Sequence, residues 1–187
     1  WKLFWENNSE CLHCPGVHPE LCDRVPIFRR GLMGERDDPD WREHAGSDDP
    51  QYRGGLGGGA ETLSMDGRAH GKVFPDLTEQ ERRNGQNFLS IVPGLMLIGN
   101  ADYMRAIRVL PLDAETTEVE AAWLFPPETL ADPKLDIMNN VAIGKLIIEQ
   151  DAAICEVNQK GLRSRAHEAG VLLPEEYLLK RFHDWVR

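Results

Sequence analysis

The spacing of apolar positions divides the chain into stretches of different period. From Trp1 to His13, Leu3, Phe4 and Leu12 alternate with Glu6, Asn7, Asn8 and Glu10 at helical spacing, and Pro15 with Gly16 predicts the stop. Residues 36–59 are dense in Asp, Gly and Pro and carry no apolar period, which predicts a long, weakly ordered surface loop or lid. Strand-like stretches follow at Ala60–Gly67, Asn87–Gly99, Tyr103–Leu112 and Thr117–Pro126, the last two joined by the turn signal Asp113–Thr116 of a hairpin. The period then becomes helical. Leu135, Met138, Val141, Ala142, Leu146, Ala153 and Val157 recur at steps of three and four, which predicts one long helix from Asp136 to Ala169 with Gly170 as its C-cap. Pro174 opens a short amphipathic helix that closes the chain. Strands followed by a long helix predict an α+β fold, an antiparallel sheet with the helix across one face.

Composition narrows the partners. With 187 residues, 41% of them hydrophobic, the chain can bury the core of one domain, residues 1–187. A formal net charge of −10 repels phosphate backbones and anionic lipid, so no nucleic-acid or membrane partner is expected. Apolar runs such as Ile91–Ile98 and Ile143–Ile148 fall well short of the roughly 20 residues that span a bilayer. The chain starts at Trp1 with no secretory signal, which suggests a piece of a longer polypeptide. Four cysteines are too few and too clustered for a stapling framework, so they are expected as thiols in a reducing compartment, the cytoplasm by default.

Candidate chemistry concentrates in Glu10–Cys22, "ECLHCPGVHPELC". Cys11 and Cys14 form a C-x-x-C, but no second Cys/His pair follows at zinc spacing, and Cys22 has none of the residues that complete a Rieske cluster motif. His13 and His18 are five residues apart, about 140° around an ideal helix, so a straight helix cannot aim both at one metal. A break at Pro15–Gly16 would turn His18 back toward His13. Glu10, three residues before His13, shares its helical face and is placed to orient or charge-tune that imidazole. Two histidines and one carboxylate are the donor set of a ferrous facial triad. Asp151 is the best carboxylate for it, because Ala152, Ala153, Ile154 and Cys155 give it an apolar setting in which an unpaired charge costs several kcal/mol. Glu149 reads as a solvated neighbour.

At these residues the chain resembles a known family. "WKLFWENNSECLHCPGVHPEL" and "QDAAICEVNQKGLRS" are similar to the two iron-ligand segments of the catalytic domain of Rieske non-haem iron ring-hydroxylating oxygenase α subunits. "GAETLSMDG", "VPGLMLIG", "RVLPLDAETTEVEAAWLF" and "LLKRFHDWV" extend the likeness over nearly the whole chain. The resemblance implies a helix-grip fold, START-like, with the sheet wrapped around the long C-terminal helix. It implies a mononuclear Fe(II) on His13, His18 and Asp151, and Glu10 as the electron bridge from a neighbouring subunit's [2Fe-2S] Rieske cluster. That cluster's domain would lie upstream and outside this sequence. NAD(P)H would supply electrons through a separate reductase or ferredoxin, and the whole protein would be a homotrimer. The implied reaction is hydroxylation, dihydroxylation or oxidative demethylation of a small organic substrate, an aromatic ring or a quaternary amine, with dioxygen. The bridging acid is more commonly Asp; Glu10 resembles the branch acting on quaternary amines such as carnitine or betaines.

Two rivals use the same residues. A zinc hydrolase would hold water on His13, His18 and Asp151, and a helix-grip carrier would bind an apolar ligand without chemistry. Cys11, Cys14 and Cys155 read as small buried residues beside the site, and His44, His70, His167 and His183 are given no role. Asn7 and Gln159 are candidates for polar contact with the pocket. Trp5, Phe28, Trp123 and Phe125 are either core or a box for a trimethylammonium group.

Overall fold

A computed structural model describes residues 1–187, and it is α+β. Helix α1 (Lys2–Asn7) is followed by short helices α2 (Cys14–Val17), α3 (Pro19–Arg24), α4 (Pro50–Arg53) and α5 (Glu79–Asn84). Four strands come next: β1 (Gln86–Ile91), β2 (Leu95–Asn100), β3 (Met104–Pro111) and β4 (Thr117–Leu124). They form an antiparallel meander in the order β1-β2-β3-β4. Helices α6 (Pro127–Ala131), α7 (Met138–Leu162) and α8 (Tyr177–Val186) complete the chain. None of the helices is long and apolar enough to cross a membrane.

Burial alternates along the central strands as a half-buried sheet requires. Met96 and Ile98 on β2 and Arg105, Ile107 and Val109 on β3 turn inward. The core has two parts. Cys11, Cys14, Leu21, Cys22, Val25, Ile27, Phe28, Leu32, Leu56, Leu63, Ile143 and Ile147 form one, and Trp5, Met96, Ile98, Ile107, Val109, Leu179 and Phe182 form the other. Helix α7 contributes to the first and packs along α1 and α3.

Several expectations change. The first helix stops at Asn7, not His13, because Asn8 Nδ2 donates to the Phe4 carbonyl (2.9 Å) and Ser9 Oγ to the Trp5 carbonyl (2.5 Å), taking over the helix end. Ala60–Gly67 is a folded turn and not a strand: the Glu61 and Thr62 amides both donate to the Gly67 carbonyl. Its hydroxyls find side-chain and loop partners instead of a ladder, Thr62 on Asp102 and Ser64 on Asp66 and the Arg68 carbonyl. Asn87–Gly99 splits into the β1–β2 hairpin. Helix α7 ends at Leu162 and not Ala169, since residues 163–170 are all exposed and have no apolar face to bury. In the 36–59 segment, expected as a weakly ordered loop, α4 forms and two residues are anchored: Asp38, which accepts from Arg30 at 2.7 Å, and the core residue Leu56.

Candidate metal centre

Four sequence-predicted residues come together. His13 lies at the N-cap of α2, His18 at the junction of α2 and α3, and Asp151 on α7, and Glu10 lies in the turn after α1. The bend that unites the histidines is not at Pro15–Gly16. Pro15 sits inside the first turn of α2, where its missing N–H is tolerated, and the chain leaves helical geometry at His18 itself, with φ −121° and ψ 63°. Pro19 is the reason, because a residue before proline is pushed out of the α region. The imidazole centroids end 5.2 Å apart and nearly perpendicular.

Each ring is held by one nitrogen and presents the other. His13 Nδ1 meets Glu10 Oε1 at 2.6 Å, while Glu10 Oε2 accepts from the Leu12 amide. His18 Nδ1 donates to Gln150 Oε1 at 2.8 Å, and Gln150 Nε2 donates on to Glu20 at 3.3 Å. Both Nε2 atoms then face one carboxylate oxygen. Asp151 Oδ1 is 2.9 Å from His18 Nε2 and 3.4 Å from His13 Nε2, and it also accepts from Asn7 Nδ2 at 2.7 Å.

Charge follows from this geometry. Burial pulls the His13 pKa down, but Asp151 and Glu10 outweigh it and hold the imidazole at about 9. Burial raises the Asp151 pKa, and hydrogen bonds from His13, His18 and Asn7 reverse that and bring it to about 2. A cation thus already stands where a metal would replace a proton.

The donor set fits a divalent metal. Two adjacent ligands each about 2.1 Å from one ion and roughly at right angles lie about 3 Å apart, which is the spacing seen between Asp151 Oδ1 and the two Nε2 atoms. Cys14 Sγ is also near, 3.8 Å from His13 Nε2. It is bonded to Cys11, so the four cysteines are not all thiols as expected, and Cys14 has no thiolate for a metal. Cys22 and Cys155 are free. Burial first, and then the Asp151 charge, push the Cys155 thiol up to about 11. Its alkylation by iodoacetamide at pH 8, followed by mass spectrometry, is expected to run about 100-fold slower than that of an unperturbed cysteine.

The site opens on a cavity of about 1060 Å³ between the two core clusters. Trp5, Phe28, Phe182, Arg105 and Gln159 are on its walls, together with all four candidate residues. Phe125 instead stacks on Tyr103, 5.6 Å between centroids. Glu149 points away and pairs with Lys145 on the exposed face of α7. His44 stacks on Tyr52, and His70 and His183 pair with Asp66 and Glu6. Gln150 was not anticipated, because consecutive helical residues do not share a face and only the length of its side chain brings it to His18.

The family model described as the ring-hydroxylating alpha subunit, catalytic domain, matches residues 1–187. The chain belongs to this family. Among curated relatives, this ring-hydroxylase domain is 25% identical over 205 residues to the glycine betaine monooxygenase oxygenase subunit of Pseudomonas aeruginosa strain UCBPP-PA14, covering 99% of the domain and 47% of the relative. The protein of the same name from Chromohalobacter salexigens is 26% identical over 189 residues, covering 91% and 42%. The domain therefore spans less than half the length of these relatives.

Proposed function

We propose that this domain is the oxygen-activating part of a terminal oxygenase, with mononuclear ferrous iron held by His13, His18 and Asp151 and a quaternary amine as substrate. The convergence of two imidazole Nε2 atoms on Asp151 Oδ1, at 2.9 and 3.4 Å, carries this reading. The glycine betaine monooxygenase relatives support the substrate class. When bound, the iron supplies dioxygen activation and one-electron redox chemistry. The chain's residues do the rest. Glu10 and Gln150 fix the two rings so that Nε2 of each is the free ligand atom. Asn7 holds the Asp151 carboxylate in place. Apolar cavity walls exclude water and confine the substrate beside the metal.

Glu10 is the electron bridge in this reading, from the [2Fe-2S] cluster of a neighbouring subunit to His13, and a reductase using NAD(P)H feeds that cluster. The fold is the helix-grip type and the whole protein a homotrimer. The meander and the long helix α7 are in keeping with that fold.

Hydrogen peroxide carries both the oxygen and the two electrons, so it tests the reaction without a partner. Glycine betaine and peroxide give dimethylglycine, formaldehyde and water in a balanced demethylation. Domain loaded anaerobically with ferrous iron is expected to release formaldehyde and dimethylglycine in equal amounts, and neither with Asp151→Ala. Equal turnover with zinc in place of iron would sink the oxygenase reading in favour of a hydrolytic metal. Betaine bound by metal-free protein with no product under any loading would favour a carrier.

A further inference from the structure

Arg105 is a buried cation without a partner. It lies on β3 at 5% exposure, with Nε and Nη1 both buried and lacking hydrogen bonds, and it forms no ion pair. A guanidinium does not shed its proton to escape this, so the desolvation stands until an anion arrives. Burial lowers its pKa, against raises from Tyr103 and Asp151.

A second unpartnered donor lies beside it. Trp123, paired with Arg105 across β3 and β4, also has a buried and unpartnered indole N–H. Helix α7 passes both at Gly144, where a Cβ would come within 2.5 Å of Arg105 Nη1 and 3.3 Å of Trp123 Nε1. Asp102 already accepts from Thr62, Gly71 and Asn140, and the Tyr103 hydroxyl donates to the Leu63 carbonyl. Asn140 Oδ1, one turn before Gly144, is also buried and unpartnered. Arg105 lines the same cavity as His13, His18 and Asp151. Gly144 and Asp151 are seven residues apart on α7, about 10 Å along its axis.

We infer that Arg105 is the anion anchor of this cavity, binding the carboxylate of a small zwitterion whose cationic end then faces His13, His18 and Asp151. This rests on the quaternary-amine reading and adds the residue that holds the substrate's carboxylate. A guanidinium matches a carboxylate in a fork of parallel hydrogen bonds, and a neutral alcohol forfeits that match. Arg105 and Asp151 line one cavity, so such a substrate would lie with its acid at Arg105 and its N-methyl groups toward Asp151.

Titration calorimetry with three probes tests the anchor: glycine betaine, its isostere 3,3-dimethylbutanoate, in which a neutral carbon replaces the quaternary nitrogen, and choline, in which a hydroxymethyl group replaces the carboxylate. Wild type is expected to bind both carboxylates, and Arg105→Gln to weaken both by about 30-fold or more while leaving choline unchanged. Gly144→Ala is expected to weaken the carboxylates in the same selective way, because the added methyl displaces Nη1, and thermal melts establish that both variants fold. Three results overturn the anchor: no binding of either carboxylate by wild type, carboxylate binding unchanged in Arg105→Gln, or carboxylates and choline lost together, which would make Arg105 a structural partner of Asn140. Arg105-dependent binding of 3,3-dimethylbutanoate without betaine keeps the anchor and removes the quaternary-amine reading. Betaine binding independent of Arg105 does the reverse.

Discussion

Asp151→Ala is expected to reduce anaerobic ferrous-iron uptake from near one ion per chain to less than about a tenth, because one oxygen of this carboxylate meets both ligand nitrogens. Metal analysis after desalting reads the result directly, with His13→Ala as the matched loss and Glu149→Ala as the control on the exposed face. Iron retained by Asp151→Ala would remove Asp151 from the ligand set. The same variant changes the metal-free protein in a defined direction. His13 is held at about 9, above its ordinary 6.5, so its pairing stabilises the fold fully below 6.5 and the contribution fades as pH rises through 9. Asp151 is held at about 2, below its ordinary 3.8, so its share is present above 3.8 and fades as pH falls through 2. The stability gap between wild type and Asp151→Ala should therefore be widest between pH 3.8 and 6.5 and narrow as pH rises through 9. Urea titrations across this range, with the His13 ring followed by NMR, measure both effects.

Asp102→Ala is expected to destabilise the fold by about 3–5 kcal/mol, without touching the cavity. Asp102 is fully buried, and its carboxylate accepts from Thr62 Oγ1 at 2.7 Å, the Gly71 amide at 3.0 Å and Asn140 Nδ2 at 3.0 Å. Alanine leaves two buried donors, on Thr62 and Asn140, and the half-buried Gly71 amide unsatisfied in one step, each buried one worth about 1–3 kcal/mol. These bonds join the 60–71 turn, the sheet and α7, so the loss is spread over the domain's main contacts. Equilibrium denaturation is the measurement, and a change below about 1 kcal/mol would mean that water or Ser/Thr rearrangement replaces the carboxylate.

The convergence of the candidate residues was more legible than the segments around them. His13, His18 and Asp151 are unusual residue types in telling settings, and Glu10 at three residues from His13 carries its own geometry. Periodicity also located β3, β4, the hairpin between them and the long helix α7. It failed where side chains compete with the backbone, as Asn8 and Ser9 do at the end of α1 and Thr62 and Ser64 do in the 60–67 turn. It overran α7 because alanines at 166 and 169 keep a helical rhythm that no tertiary contact rewards. Pro15 and Gly16 drew attention as breakers, but the decisive residue was Pro19, which acts on the residue before it. Arg105 shares the strand face of Ile107 and Val109, so the alternation placed it inward, but a lone charge on an apolar face names no ligand until the opposing helix is seen to lack a side chain at Gly144.

The inward face of α7 carries Asn140, Gly144, Ile147 and Asp151 in one helical register. Fold security sits at its start, where Asn140 grips Asp102, and the proposed metal ligand Asp151 lies eleven residues later, against the histidines. Inserting or deleting a single residue between them would swing Asp151 by about 100° and carry it off the histidines while leaving Asn140 in place. Side chains along the cavity wall are open to change as substrates change, but the distance from 140 to 151 is a fixed ruler, and lineages that retain this centre are expected to vary in composition there and not in length.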